Sequence, residues 1–383
     1  ASDVKFLPTG GIYIIEDHDI SVTLMCDRAT LALNSVKGNY ATRVAFYNGT
    51  MKQKLENEQE ILFGVKHGLE NEEFEVYYQP QCNARTNKII GAEALVRWNH
   101  PQKGMLAPLS FIPILESSGF ISKLDYYVWE HVCKLLHERI KANLEVVPIS
   151  VNVSRMDIYQ YHITEVFLEL IKKYELPANI LEIEITESAY TENYDSLIES
   201  VTELRKAGFI VLMDDFGSGY SSLNMLKDME VDVLKIDMKF LEMNEISEMK
   251  GSGILESIVQ MGKWLGLRLI AEGVETQKQI ENLLSLDCEY VQGYYYYKPM
   301  STKDFISLLN QKDKIDTRGI LAKKLPTIQL DDLFHKDITS EAMLNNLLGG
   351  IALYELIDGD KLEIRMVNNT YYRRSTCNSV DSD

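Results

Sequence analysis

The chain has 383 residues, with 39 Lys and Arg against 57 Asp and Glu, for a formal net charge of −18. Hydrophobic residues at 45% and charged residues at 25% are ordinary globular proportions and exclude a disordered or fibrous chain. The acidic balance excludes a basic groove for long nucleic acid, while leaving room for a small phosphate ligand held through metal ions.

At roughly 150 residues per domain the length allows two or three domains. In chain order, Gly11-Ile12-Tyr13-Ile14-Ile15 predicts a strand, followed by an amphipathic helix and a short strand at Val44-Ala45-Phe46-Tyr47. From Met51 to about Leu69, Leu55, Leu62, Val65 and Leu69 recur at helical spacing, as in a connecting helix or an ordinary surface helix. From Phe74 to Met300 the rhythm changes. Eight β-rich runs (74–79, 89–97, 147–153, 180–187, 209–215, 231–237, 267–272 and 290–296) alternate with helical stretches such as Ile121, Leu124, Val128, Val132 and Leu135. That pattern predicts an α/β fold, a TIM-like (β/α)8 barrel, over a doubly wound open sheet with fewer strands. After about Thr317 a Lys-rich stretch leads to Asp331-Asp332 and an amphipathic segment with Leu344, Leu347 and Leu348. The strand Ile351-Ala352-Leu353-Tyr354, a turn at Asp358-Gly359-Asp360 and the run Leu362-Glu363-Ile364 end the pattern before a domain is complete. The two flanks are therefore expected to be partial α+β segments.

Five scattered cysteines, an odd number without a Cys-x-x-Cys pair, argue against a disulfide framework and a thiolate zinc site, and place the chain in a reducing cytoplasm. No apolar run of about 18 residues predicts a membrane helix. No signal peptide is evident. The start at Ala1 rather than Met suggests a piece of something longer.

The chemistry is concentrated at strand ends. In order these carry Gln79, Glu93 with Arg97, Asn152, Glu184 with Glu187, Asp214-Asp215, Lys235 with Asp237, Glu272 with Glu275, and Gln292. Any one such residue is more simply a helix cap or a solvated loop side chain. All eight together, converging on the mouth where barrel active sites lie, require another explanation. Five carboxylates (Glu93, Glu184, Asp214, Asp215, Glu272) in one cavity cannot all stay ionised without protons or cations. With the Asn152 amide they form an oxygen-only set suited to Mg2+ or Mn2+. Two such ions beside Lys235, with no evident protein nucleophile, point to phosphoester hydrolysis. Arg97 suits a phosphate fork, or a surface ion pair. Phe216-Gly217-Ser218-Gly219-Tyr220 lacks a dinucleotide fingerprint, His18-Asp19 stands alone, and Tyr294 to Tyr297 serve either base stacking or packing.

Glu93-Ala94-Leu95-Val96-Arg97 resembles the signature of EAL-domain cyclic-di-GMP phosphodiesterases. The resemblance continues in order through Val151-Asn152-Val153-Ser154, Glu184-Ile185-Thr186-Glu187, Asp214 to Leu223, Lys235-Ile236-Asp237, Ala271-Glu272-Gly273-Val274-Glu275 and Gln292-Gly293-Tyr294, covering about residues 55–312. It implies hydrolysis of cyclic di-GMP to linear pGpG with two Mg2+ or Mn2+ ions. By motif, Glu93, Asn152, Glu184 and Asp214 hold one ion, and Asp214, Asp215 and Glu272 the other. Lys235 and Glu272 are candidates for activating water. Gln79, Leu95, Arg97, Asp237 and Gln292 are implied as substrate contacts, and Glu187 and Glu275 as support for the loop after the fifth strand. Ser218 stands where many relatives carry Thr, which keeps the hydroxyl. No acidic position is missing, favouring an active enzyme over a catalytically silent cyclic-di-GMP receptor; a lyase acting on a carboxylate substrate is a remote third reading.

The flanks resemble other families. Residues 1–50 look like the C-terminal remnant of a GGDEF-type domain without its signature loop, and residues 340–383 like the start of a PAS-type domain. The expected organisation is a connecting helix at 51–72, the barrel at 73–312 and a linker at 313–339, in a cytoplasmic homodimer joined through the barrel, with flanking signalling domains in a longer chain.

Overall fold

A computed structural model describes residues 8–16, 18–37, 42–186, 189, 194–216, 230–237, 248–320, 352–357 and 361–367. Two compact units divide the chain, Ala1–Ala322 and Lys323–Asp383.

The first unit opens with β1 (Gly10–Ile12), α1 (Val22–Val36) and β2 (Val44–Phe46), the two strands pairing in parallel. Ser21 caps α1 by accepting the Leu24 N–H at 3.3 Å. The helix lies so close to β1 that a Cβ on Gly11 would sit 2.0 Å from the Ala29 carbonyl oxygen. Helix α2 (Gly49–Glu70) follows, capped by Asn48. Its first half is largely exposed, whereas Ile61 and Val65 are buried in one cluster with Phe74 and Trp98. Gly64 makes this seating possible, since a Cβ there would lie 2.9 Å from the Trp98 ring.

Next come β3 (Phe74–Asn83), β4 (Lys88–His100) and β5 (Gly104–Leu106). Helices α3 (Ile112–Ser118) and α4 (Ile121–Lys141) lead to β6 (Ile149–Val153), and α5 (Arg155–Gln160) and α6 (Ile163–Lys173) to β7 (Leu181–Thr186). Helix α7 (Tyr194–Lys206) precedes β8 (Ile210–Phe216) and β9 (Val233–Asp237). Helix α8 (Glu248–Trp264) precedes β10 (Arg268–Glu272), and α9 (Gln277–Ser285) precedes β11 (Tyr290–Gln292). Strand β12 (Met300–Ser301) and α10 (Thr302–Leu309) complete the set. Strands β3, β4, β6, β7, β8, β9, β10 and β11 close into a ring, with β5 and β12 as outer additions. The fold is a TIM-like α/β barrel.

One strand runs against expectation. β3 is antiparallel to both of its ring neighbours, β4 and β11, while the other ring pairings are parallel. Only 84–87 join β3 to β4, too few for a crossover helix. Asn83 Oδ1 accepts the N–H groups of Arg85 at 2.9 Å and Thr86 at 3.1 Å, and Asn87 takes φ 55°, so the segment is a tight turn. Gln79 is consequently not at a strand end. It sits mid-strand, directly opposite Glu93. The eighth strand is also shorter than the run 290–296 predicts, stopping at Gln292.

Alternation sorts side chains into and out of the ring. Below the mouth the interior is apolar: Ile90, Ile210, Leu212, Val233 and Ile270 form one buried cluster. The chain itself closes this floor. After α10, Asp316 N–H donates to the Ile89 carbonyl at 2.8 Å and Ile315 pairs with Ile89. Ile320, 3% exposed, then enters the same cluster.

In the second unit β13 (Ala352–Ile357) and β14 (Lys361–Val367) pair as an antiparallel hairpin. The expected turn at Asp358-Gly359-Asp360 and the segment with Leu344, Leu347 and Leu348 lie outside the described residues. No helix among the described residues is long and apolar enough to cross a membrane.

Candidate functional site

The mouth of the barrel is built around one buried ammonium. Lys235, mid-strand in β9 and 0% exposed, points into the ring. Its Nζ lies 3.2 Å from Glu93 Oε2, 3.4 Å from Asp214 Oδ1 and 2.6 Å from Glu272 Oε1, and donates to Glu184 Oε1. Four carboxylates from four strands thus share one cation. Burial alone would lower the lysine pKa, but Asp214, Glu184, Glu272 and Glu93 outweigh it and hold the group well above its usual value. Burial, with Glu93 next, raises Glu184 well above the carboxylate range. Burial, opposed by Lys235 and reinforced by Asp214, does the same to Glu272. Asp214 moves the other way: burial is outweighed by Lys235 and the Asp215 backbone N–H, and its pKa is lowered.

An amide rim surrounds this centre. Asn152 Nδ2 donates to Glu93 Oε1 at 3.2 Å, and Gln292 Nε2 to Glu93 Oε2 at 2.6 Å. Gln292 Nε2 also reaches Gln79 Oε1 at 3.3 Å, and Gln79 Nε2 reaches the Tyr297 carbonyl at 3.3 Å. Trp129 Nε1 donates to the Asn152 carbonyl at 2.9 Å, bracing the end of β6 from outside.

Local backbone geometry separates the adjacent aspartates. The β8–β9 register slips between Met213 and Phe216, and Asp215 takes φ 55°, a left-handed conformation costly for a residue with a Cβ. One extra residue is thereby accommodated. Asp214 turns toward Lys235 and Asp215 is exposed at the rim. Along β4, Glu93, Leu95 and Arg97 share a face. The Arg97 guanidinium lies 5.6 Å from the Tyr77 ring centroid and donates to the Val96 carbonyl, with no salt bridge to any described residue. Burial lowers its pKa, against the raising influence of Tyr294, Tyr77 and Glu93.

Of the residues singled out from sequence, the structure brings Gln79, Glu93, Asn152, Glu184, Asp214, Lys235, Glu272 and Gln292 together. Leu95, Arg97, Asp215 and Asp237 occupy the rim and upper strand ends. Glu275 lies exposed on the loop before α9, its N–H donating to Gln279 Oε1 at 2.8 Å. Glu187 and nearly all of the glycine-rich loop after β8 lie outside the described residues. In the tyrosine run, Tyr296 and Tyr297 pack against the core while Tyr294 is exposed. One buried neighbour escaped the sequence reading: Gln81, which donates to Gln292 Oε1 at 3.0 Å. Its position two residues past Gln79, on the same strand face, was the available signal.

The donor set fits divalent cations. Glu184 Oε2 and Asp214 Oδ1 are buried without a hydrogen-bond donor, leaving lone pairs that a cation would satisfy. Among the described residues the acids are gathered around the lysine, not drawn into a ready three-ligand cluster. An ammonium holding apart four carboxylates accounts for that arrangement.

A family model for the EAL domain matches residues 64–299. The chain belongs to the EAL-domain family. Curated EAL-domain relatives include the cyclic di-GMP phosphodiesterase NbdA of Pseudomonas aeruginosa, 32% identical over 272 residues, covering 71% of this chain and 35% of the relative. Another is the cyclic di-GMP phosphodiesterase RocR of the same organism, 34% identical over 243 residues, covering 63% of this chain and 61% of the relative. Among solved EAL structures, the PaMucR phosphodiesterase in complex with c-di-GMP superimposes with a TM-score of 0.60 at 32% identity, over 64% of this chain and 99% of that one. The first relatives are much longer proteins, of which this chain covers 43%, 36%, 35% and 35%.

Proposed function

We propose that the barrel is a metal-dependent phosphodiesterase that hydrolyses cyclic di-GMP to linear pGpG. The observation that carries this is the convergence of Glu93, Glu184, Asp214 and Glu272 on Lys235, with two buried carboxylate oxygens left without donors. Glu93, Asn152, Glu184 and Asp214 would hold one Mg2+ or Mn2+, and Asp214, Asp215 and Glu272 the second. When bound, the two ions supply Lewis acidity and neutralise charge at the phosphate under attack. The protein does the rest. Lys235, fixed by its carboxylates, orients the attacking water and balances charge growing on the phosphoryl oxygens. Lys235 and Glu272, at the end of β10, are the two candidates for activating that water. Arg97, which forms no salt bridge to a described residue, presents its guanidinium to the phosphate, and Gln79, Leu95, Asp237 and Gln292 seat the rest of the nucleotide. Glu187 and Glu275 support the loop after β8.

The same reading takes residues 1–50 as a GGDEF-type remnant, 51–72 as a connecting helix, 73–312 as the barrel, 313–339 as a linker whose first residues, through Ile320, close the barrel floor, and 340–383 as the start of a PAS-type domain. It places the protein in the cytoplasm as a homodimer joined through the barrel. Incubation with cyclic di-GMP and Mg2+, followed by chromatography of the nucleotides, tests the activity. Linear pGpG is the expected product. Tight binding without any linear product over hours would instead make the chain a receptor.

A further inference from the structure

Gln81 lies behind the site, in the middle of the closed ring, and is 1% exposed. Its cross-strand neighbours are Gln292 in β11 and Gly91 in β4. A Cβ on Gly91 would sit 2.9 Å from Gln81 Oε1 and 3.3 Å from the Pro148 carbonyl oxygen. The glycine therefore leaves the space that the Gln81 amide fills, and the amide has little freedom to leave it.

The direction of the resulting chain of hydrogen bonds follows from what each group can do. Glu93 is surrounded by three donors: Lys235 Nζ at 3.2 Å, Asn152 Nδ2 at 3.2 Å and Gln292 Nε2 at 2.6 Å. A carboxylate in that position only accepts, so Gln292 must turn its NH2 toward it. The same NH2 reaches Gln79 Oε1 at 3.3 Å. The carbonyl oxygen of Gln292 then faces the other way, buried, and requires a donor of its own. Gln81 Nε2 is that donor, at 3.0 Å. With the Gln292 amide reversed, its oxygen would oppose the Glu93 carboxylate and its NH2 would face the Gln81 NH2.

We propose that Gln81 is a positioning residue: by donating to Gln292 Oε1 it fixes which face of the Gln292 amide meets Glu93, and so fixes the Glu93 carboxylate relative to Lys235. Its kinetic consequences rest on the proposed phosphodiesterase reading, whereas the orientation of the amide does not. Gln81→Met keeps the length of the side chain and removes the donor. Gln81→Glu keeps the shape and replaces the donor with an acceptor, which favours the reversed Gln292 amide.

The test combines a double-mutant cycle with amide exchange. The expected kinetic result is a loss in kcat/KM of about 10-fold or more for Gln81→Met and a larger one for Gln81→Glu, measured on protein whose circular dichroism is that of wild type at the assay temperature. In a Gln292→Met background, Gln81→Met should cost less than about two-fold, because the residue acts through the amide that is gone. The second readout is NMR of the Gln292 side-chain amide protons: slow exchange in wild type and at least about ten-fold faster exchange in Gln81→Met. Equal losses in both backgrounds, or Gln292 amide exchange that Gln81→Met leaves unchanged, would overturn the proposal. If wild-type protein leaves cyclic di-GMP intact, the phosphodiesterase reading fails and the exchange measurement still decides the role of Gln81.

Discussion

The upper and lower halves of the barrel interior are lined by the same strands, yet they solve opposite problems. At the base, Ile210, Leu212, Val233 and Ile270 meet the incoming Ile320 and bury apolar surface. At the mouth, two residues further along the same strands, Asp214, Lys235 and Glu272 replace them. Leu212 and Asp214 are neighbours on one face of β8, as are Val233 and Lys235 on β9 and Ile270 and Glu272 on β10. A single step of strand alternation separates the part of the interior that stabilises from the part that holds unsatisfied charge. The lesson is that the floor makes the mouth tolerable: carboxylates that repel one another can be held together where strands already anchored below leave them no room to part.

The comparison can be broken most severely at its polar centre. Lys235→Met is expected to lower the rate of cyclic di-GMP hydrolysis by about 10²- to 10³-fold, in the range seen when a charge-stabilising donor is removed; steady-state assays of protein whose fold is checked by circular dichroism measure it. At the opposite end, Ile320→Ala should cost about 3 kcal/mol in urea unfolding through the cavity it leaves in the floor. Its kcat per folded molecule should stay at the wild-type value, and a large fall in kcat would mean that the two halves are not separable.

Glu184→Gln sharpens the contrast. It should raise the Mg2+ concentration needed for half-maximal activity by about 10- to 100-fold. Without divalent ions the melting temperature should not fall, since Gln keeps an oxygen for the Lys235 ammonium and removes a carboxylate from beside Glu93. A clear loss of metal-free stability would show that the site carries no functional strain. The smallest effect is expected outside the ring, where Asp125 on α4 lies beside Asp157, the residue whose Oδ2 accepts the Ser154 N–H at 2.8 Å. Burial first, then Asp157 and Glu116, raise the Asp125 pKa well above 3.8. The folded state therefore binds a proton that the unfolded chain has released, and stability declines as pH rises from about 4 toward the folded-state value. Asp125→Asn should flatten that decline, giving a stabilisation that grows with pH in urea titrations; a parallel offset at every pH would exclude proton uptake by Asp125.

Much of this architecture was legible from sequence because strand-end chemistry survives in a one-dimensional pattern. Each apolar run ending in Glu, Asp, Asn or Lys pointed to a mouth, and Glu93, Glu184, Asp214, Lys235 and Glu272 do meet there. Strand direction was not legible. Phe74 to Gln79 reads the same whichever way it runs, and only the four-residue turn after Asn83, with its Asx geometry, reverses β3. Gln81 is hidden in the sequence because Pro80 separates it from Gln79 and disguises the alternation. Ile320 was invisible for another reason. The short apolar run Ile320-Leu321-Ala322 between charged residues carries no periodic signal, and the burial of Ile320 is decided by the opening it fills.

Helix α2 has a mechanical side. At 1.5 Å per residue its 22 residues form a rod of about 33 Å. Gly64 and Gly68 bring its far end against Trp98 with no side chain between to act as a cushion, and Trp98 follows Arg97 on β4. Steric contact this direct transmits displacement with little slack. A tilt applied near Gly49 would work like a crank on the strand that carries Glu93, Leu95 and Arg97, converting a movement at one end of the helix into a change of reach for the guanidinium at the mouth.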